Sequence, residues 1–130
     1  MVAHLEAKFD VENWEEAPFD DESGLPKVTR ALVVKRYSGD VEVSSTTEWL
    51  MAYGGDGSAR FVGVERISGS IGGREGSLVL QHVGAYEDGA AKGDLEVIEG
   101  AGSGALQSAT GAGRFVADPG GSVSLNLTFT

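Results

Sequence analysis

SVSLNLTFT, residues 122–130, alternates apolar and polar side chains without a break. The apolar positions of this stretch are Val123, Leu125, Leu127 and Phe129. A period of two is typical of a β-strand that buries one face and exposes the other to water. The stretch therefore predicts a strand with one face on a hydrophobic core.

The same alternation appears at the other end of the chain, in LEAKFDV at residues 5–11. Between the two ends lie further strand-like runs, separated by turn signals such as Gly39-Asp40 and Asp88-Gly89, with no convincing helix. Short strands at regular spacing are typical of an all-β meander. Pairing the first strand with the last would remove both open edges. We therefore predict an all-β fold, a closed eight-stranded antiparallel β-barrel, as a single domain over residues 1–130.

Charge and composition argue against several classes of partner. The formal net charge is −10, and there is no cysteine. A chain this acidic repels phosphate backbones and anionic lipids, so we expect no nucleic-acid partner and no membrane partner. The N-terminal residues 1–10 carry charges throughout, unlike a signal peptide. Because no disulfide or thiolate metal site is possible, we expect a cytoplasmic protein. We interpret the acidic segment Glu15–Pro26 as a solvated loop.

The glycine-rich stretch GSIGGREG, residues 69–76, raises the question of a nucleotide cofactor. A dinucleotide loop places its glycines between a strand and a long helix, and a P-loop ends in Gly-Lys-Ser/Thr. Neither pattern is present, so we expect no cofactor. A related spacing recurs over Gly104–Gly111. We predict a short helical turn at each place, with Ile71 or Leu106 closing the core.

The segment FVGVERISGSIGGREGSLVLQHVG, residues 61–84, carries a family resemblance together with Asn13-Trp14 and TEWLMAY at residues 47–53. These motifs resemble a bacterial domain family of uncharacterised function that is similar to the allene oxide cyclase barrel, itself related to dirigent proteins. The resemblance implies a closed barrel whose lumen holds an apolar ligand. It does not imply allene oxide cyclisation, because no catalytic residue of the cyclase matches a position here, and a shared fold is a weak guide to function.

Two residues are candidates for acid–base chemistry. Turning Arg60 and Arg66 outward places Glu65 in the lumen; the faces of the next strand are ambiguous, and the resemblance favours His82 inside. In that position burial would raise the pKa of Glu65 by about one to three units. The favoured alternative is a surface pair of Glu65 with Arg66 or Arg74, with His82 bonded to a backbone carbonyl. His4 and His82 lie on differently facing strands, so we expect no metal site.

Aromatic and sulfur-containing side chains provide candidate ligand contacts. Trp49, Met51 and Tyr53 alternate on one strand face, and Phe61 lies on the next strand. Trp14 stands where the first strand meets the acidic loop, as a residue at a pocket mouth would. For Trp49, Met51 and Tyr53 the favoured alternative is that they fill the core of an eight-stranded barrel, which needs the same residues.

Three functions remain open from the sequence. The first is binding of a small apolar or amphipathic molecule in the lumen. The second is an isomerase, cyclase or lyase that uses Glu65 as its acid or base. The third is a structural or subunit-association module, since Val62 and Val64 on one strand and Val79 and Val83 on the next would form an outer apolar patch. Such a patch predicts a homodimer.

Overall fold

The computed structural model describes residues 1–22, 24–118 and 120–129. In these ranges the chain forms strands joined by turns. The strands are β1 Val2–Pro18, β2 Val28–Gly39, β3 Val41–Tyr53, β4 Ala59–Ile71, β5 Arg74–Glu87, β6 Ala90–Val97, β7 Ser103–Gly104, β8 Thr110–Ala117 and β9 Gly121–Thr128.

Eight of these strands close into an antiparallel barrel in the order β1-β2-β3-β4-β5-β6-β8-β9, and β9 returns to β1. The closing ladder runs from Val2 opposite Thr128 to Phe9 opposite Gly121. The two-residue β7 pairs beside β5. The predicted closed eight-stranded barrel is confirmed, and its first and last strands pair as their apolar faces require.

A β-bulge in β1 changes which side chains face the interior. The register with β2 shifts between Val11 and Asn13. Before the shift Phe9 lies opposite Tyr37, and after it Trp14 lies opposite Val33. Tyr37 and Val33 both point into the barrel, so the extra residue brings Trp14 to the inner side.

β1 also extends farther than the sequence indicated. The expected loop over Glu15–Pro26 is wrong in its first part, because residues 15–18 continue to pair with β2. Residue 23 of that loop lies outside the described residues. Since pairing with β9 stops at Phe9, this last part of β1 is paired on one side only and rises above the barrel rim.

The glycine-rich stretch 69–76 is a β-hairpin and not the helical turn that we predicted. β4 ends at Ile71, β5 begins at Arg74, and the two residues Gly72-Gly73 connect them. Both glycines have positive φ, 59° and 80°. Two central residues of positive φ give the turn whose twist matches antiparallel strands, so the hairpin outcompetes a helical turn here. Ile71 is fully buried as expected.

The second glycine-spaced segment does form tight turns. The amides of Leu106, Gln107 and Ala109 each donate to the carbonyl three residues earlier, at 3.2, 3.3 and 3.1 Å. Such bonds are those of a short 3₁₀-like turn. Leu106 is fully buried at this end of the barrel, so the segment closes the core as predicted.

Aromatic rings of the inner face each lie over a glycine directly opposite on the next strand. A Cβ added to these glycines would meet the ring at only 2.3–2.6 Å. The missing side chains thus provide the space in which the rings pack across neighbouring strands. The pairs are Trp49 with Gly63, Phe61 with Gly84, Phe115 with Gly93 and Phe9 with Gly121.

We predict that Gly63→Ala lowers the free energy of unfolding by about 1–3 kcal/mol. Its Cβ would lie 2.1 Å from the backbone oxygen of Glu48 and 2.6 Å from the Trp49 ring. Urea unfolding monitored by circular dichroism measures the effect. The matched control is Gly55→Ala, since no atom lies within 4 Å of the added Cβ there. Equal stability of the two variants would contradict this packing.

Candidate functional site

A cluster of polar side chains occupies the middle of the barrel. The alternation of four adjacent strands turns these side chains inward, and each is at most 3% exposed. Hereafter they are the lumen cluster: Lys35 and Tyr37 on β2, Ser45 and Thr47 on β3, Glu65 on β4 and His82 on β5.

The carboxylate of Glu65 is the acceptor that joins this cluster. Its Oε2 accepts hydrogen bonds from the Tyr37 hydroxyl, at 2.6 Å, and from the Ser45 hydroxyl. Its Oε1 lies 2.7 Å from Nε2 of His82. The ammonium of Lys35 lies 3.7 Å from Oε2. Donors on three strands therefore converge on one carboxylate, which favours its ionised form.

The prediction of a raised Glu65 pKa is wrong. Burial does raise the pKa and is the largest single influence on it. The charge of Lys35 and the hydrogen bonds from His82 and Ser45 together outweigh burial and lower the pKa from 4.5 to about 2. The sequence argument counted desolvation alone, because it did not place a lysine in the lumen.

Trp49 determines the tautomer of His82. The indole Nε1 of Trp49 lies 3.0 Å from Nδ1 of His82. Because an indole N–H can only donate, Nδ1 must be the unprotonated acceptor, and Nε2 carries the proton that is donated to Glu65. His82 is therefore neutral, consistent with burial lowering its pKa against the opposing influence of Glu65. Gly63 lies between the two rings on β4 and leaves room for their bond.

Lys35 lies in an unusual environment for an ammonium. Its Nζ is 4.8, 5.2 and 5.4 Å from the ring centroids of Phe9, Phe115 and Trp49. The 3.7 Å separation from Glu65 is too long for a hydrogen bond. Burial lowers the pKa of Lys35, and the Glu65 carboxylate opposes that shift. The result is an ion pair inside an aromatic box.

Two polar atoms of the lumen cluster lack a hydrogen-bond partner among the described residues. They are Nζ of Lys35 and Oγ1 of Thr47. Thr47 lies opposite Val33, two residues from Lys35 on the same inner face, so the two side chains are diagonal neighbours across β2 and β3. Buried polar atoms are normally paired, so this position requires an explanation.

The rim above the cluster is built on Trp14 and Glu16. Trp14 is 43% exposed and meets Trp49 edge-on, with ring centroids 5.6 Å apart. Oε1 of Glu16 accepts from the Trp14 indole at 3.0 Å, and Oε2 accepts from Thr29 at 2.6 Å and from Tyr53 at 2.5 Å. Burial tends to raise the pKa of Glu16, but these hydrogen bonds outweigh burial and lower it. An ionised carboxylate thus stands at this end of the barrel.

The structure brings most of the sequence-predicted site residues together. Glu65 and His82 are bonded in the lumen, so a surface pair of Glu65 with an arginine is not formed. The ring of Trp49 stacks on Phe61 at 4.4 Å, and Met51 lies 3.9 Å from the Tyr53 hydroxyl. Sequence reasoning missed the other members of the site: Lys35, Tyr37, Ser45, Thr47 and Glu16.

The outer apolar patch is present with one change. Val62, Val64 and Val83 are 52%, 49% and 50% exposed, whereas Val79 is 7% exposed and contributes little. The three exposed valines and Leu50 line an open surface hollow of about 470 Å³. The homodimer expected from this patch stays a prediction.

Residues 1–22, 24–118 and 120–129 contain neither a cluster of metal-ligating side chains nor a membrane-spanning helix. No group of three or more histidine or acidic side chains there is arranged to hold a metal ion. No helix in the same ranges has the length and apolarity needed to cross a bilayer.

Comparison with known proteins identifies the family. Residues 5–129 match the family model DUF3224, described as a protein of unknown function. The chain belongs to the DUF3224 family. A DUF3224 protein of unknown function from Shewanella oneidensis MR-1, solved by crystallography, is 27% identical, with a TM-score of 0.81 over 100% of this chain and 99% of that chain. No curated protein matches. The barrel is therefore shared within DUF3224, and function must be argued from the site.

We predict that this DUF3224 protein loses stability on acidification in two stages. His82 has a pKa below its ordinary 6.5, and that of Glu65 is lowered from 4.5 to about 2. Both groups bind fewer protons in the folded state than in the unfolded state. Their contribution to the free energy of unfolding is therefore complete above pH 6.5 and is lost as the pH falls. His82 acts first, and Glu65 follows between pH 4.5 and about 2.

Urea unfolding at pH 8, 6, 5, 4 and 3 tests this expectation. His82→Gln should remove the first stage and leave the second. The control is His4→Gln, because His4 is exposed and its pKa is raised, chiefly by the Asn126 hydrogen bond. Protonation of His4 therefore stabilises the folded protein, whereas protonation of His82 destabilises it. The His4→Gln control should retain the loss of stability that His82 causes. A wild-type stability that is constant from pH 8 to 5 would refute the assignment.

Proposed function

We propose that this barrel binds a small amphipathic molecule, with its polar end on Lys35 and Thr47 and its apolar part against the aromatic side chains towards the mouth. One observation carries the proposal: a fully buried lysine ammonium has no hydrogen-bond acceptor among the described residues. The Oγ1 atom of Thr47, a diagonal neighbour, is unpaired in the same ranges.

The energetics favour a ligand oxygen at this position. An ammonium carries three donors, and a buried donor without a partner costs about 1–3 kcal/mol, more when it is charged. The ion pair with Glu65 provides charge compensation at 3.7 Å but no hydrogen bond. A bound oxygen between Lys35 and Thr47 would satisfy both side chains and recover that cost as binding free energy.

The surroundings suit an apolar body next to that oxygen. Nζ of Lys35 is flanked by the rings of Phe9, Phe115 and Trp49, so its charged end lies towards the aromatic half of the barrel. Mostly apolar walls with a few polar anchors are typical of small-molecule sites. The resemblance to the allene oxide cyclase barrel supports the same kind of lumen.

Trp14 is placed to control entry. It covers Trp49 at the mouth, yet its strand is paired on one side only beyond Phe9. Among the described residues, its side chain forms one hydrogen bond, to Glu16. Displacement of this one side chain would open a route from solvent to the aromatic side chains above Lys35.

The acid–base alternative has less support. A carboxylate whose pKa is about 2 holds no proton to donate at neutral pH, and it is a weak base. Both oxygens of Glu65 already accept hydrogen bonds from Tyr37, Ser45 and His82. Glu65 is therefore better suited to position Lys35 and His82 than to exchange protons with a substrate.

We predict that Thr47→Val has opposite effects on stability and binding. Valine has nearly the same shape but no hydroxyl, so removing an unpaired buried oxygen should raise the free energy of unfolding by about 1 kcal/mol. The same change removes a ligand contact and should weaken binding about tenfold. The probes are octan-1-ol, octan-2-one and octanoate, titrated against the fluorescence of the two tryptophans.

The matched control is Thr46→Val, on the neighbouring exposed position of β3. It should change neither stability nor affinity appreciably. The proposal fails if none of the three probes binds the wild-type protein up to its solubility limit. It also fails if Thr47→Val binds the probes as tightly as the wild type does.

A further inference from the structure

We infer that the polar end of the ligand is an uncharged oxygen, as in an alcohol, ketone or ester, and not a carboxylate. This inference rests on the proposed function and specifies the chemical class of the molecule bound at the same site. Two independent features of the described residues lead to it: the charge balance of the lumen cluster and the charge at the rim.

The lumen cluster is electrically neutral before a ligand arrives. Lys35 contributes one positive charge and Glu65 one negative charge. His82 is neutral because its Nδ1 accepts from Trp49. Tyr37 keeps its proton, since burial and then the Glu65 carboxylate raise its pKa well above 10. A carboxylate bound at Lys35 would bring a second negative charge close to Glu65 and leave a net buried charge, which is costly in a low-dielectric interior.

The donors that remain are sufficient for one uncharged oxygen. Tyr37, Ser45 and His82 already donate to Glu65. Within the described part of the chain, Lys35 and Thr47 are the members of the cluster with unpaired polar atoms. A hydroxyl or carbonyl oxygen offers two lone pairs, which two such donors satisfy. Lys35 has three N–H donors and Thr47 one O–H donor, so the number of donors also admits a carboxylate, and the preference for an uncharged oxygen rests on charge.

The rim also disfavours an anion. Glu16 is ionised, and its two oxygens hold Trp14, Thr29 and Tyr53 around the entrance. An entering carboxylate would pass this negative charge on a protein whose formal net charge is already −10. The nearby cation at the rim, Lys27, lies 4.3 Å over the ring of Tyr53. Uncharged molecules meet no such repulsion.

The experiment compares probes that share eight carbons and differ in their polar end. Tryptophan fluorescence at pH 7.5 gives the affinities of octan-1-ol, octan-2-one and octanoate for the full chain. We expect the two uncharged probes to bind at least tenfold more tightly than octanoate. Lys27→Met should leave this ratio unchanged, because the polar end binds at Lys35 and not at the rim.

Glu65→Gln provides a second arm. It gives the lumen cluster one net positive charge, so the preference should shift towards octanoate by at least tenfold. If circular dichroism shows that this variant does not fold, the ratio of probe affinities in the wild-type protein alone tests the inference. Octanoate binding the wild type as tightly as octan-1-ol would overturn the inference and leave the proposed function standing. If no probe binds, the proposed function itself fails.

Discussion

The carboxylate of Glu65 is the interaction on which the rest of the interior depends. Ionising a buried side chain costs several kcal/mol unless charges and donors compensate for it. Here the compensation comes from β2, through Lys35 and Tyr37, from β3, through Ser45, and from β5, through His82. One residue on β4 thereby connects four adjacent strands. Removing any single partner would leave the buried carboxylate less fully compensated.

This arrangement fixes the orientation of aromatic groups as well as charges. Because the Trp49 indole can only donate, Nδ1 of His82 accepts from it, and Nε2 carries the proton that is donated to Glu65. That bond crosses β4 above Gly63, where any side chain would collide with Trp49. Trp49 in turn stacks on Phe61 and meets Trp14 at the rim. The charged centre and the proposed ligand contacts are therefore parts of one network.

The sequence predicted the architecture because the first and last strands alternate cleanly. It also placed Glu65 on the inner face, since the neighbouring residues Arg60 and Arg66 favour water. It could not place Lys35, because both faces of β2 carry apolar residues and Lys35 is followed by Arg36. Only the pairing of β2 with β3 shows which of these two cations is buried. The missing lysine is the reason that the direction of the Glu65 pKa shift was wrong.

Two other differences have local causes. The bulge in β1 adds one residue near Glu12 and thereby turns Trp14 inward. No glycine or proline near Glu12 indicates this change of face in the sequence. The Gly72-Gly73 pair did carry a hairpin signal in the sequence. Its similarity in spacing to Gly104–Gly111 suggested a common structure, yet only the later segment forms successive tight turns.

The central claim is that Glu65 remains ionised inside the barrel. A titration of the Glu65 side-chain carboxyl by carbon-13 NMR, from pH 7 to 2, tests it most directly, with the resonance assigned by its absence in Glu65→Gln. We expect the carboxyl shift to stay at its ionised value until the pH approaches about 2, while the protein remains folded. A carboxyl that titrates at or above the ordinary value of 4.5 in the folded protein would contradict the account.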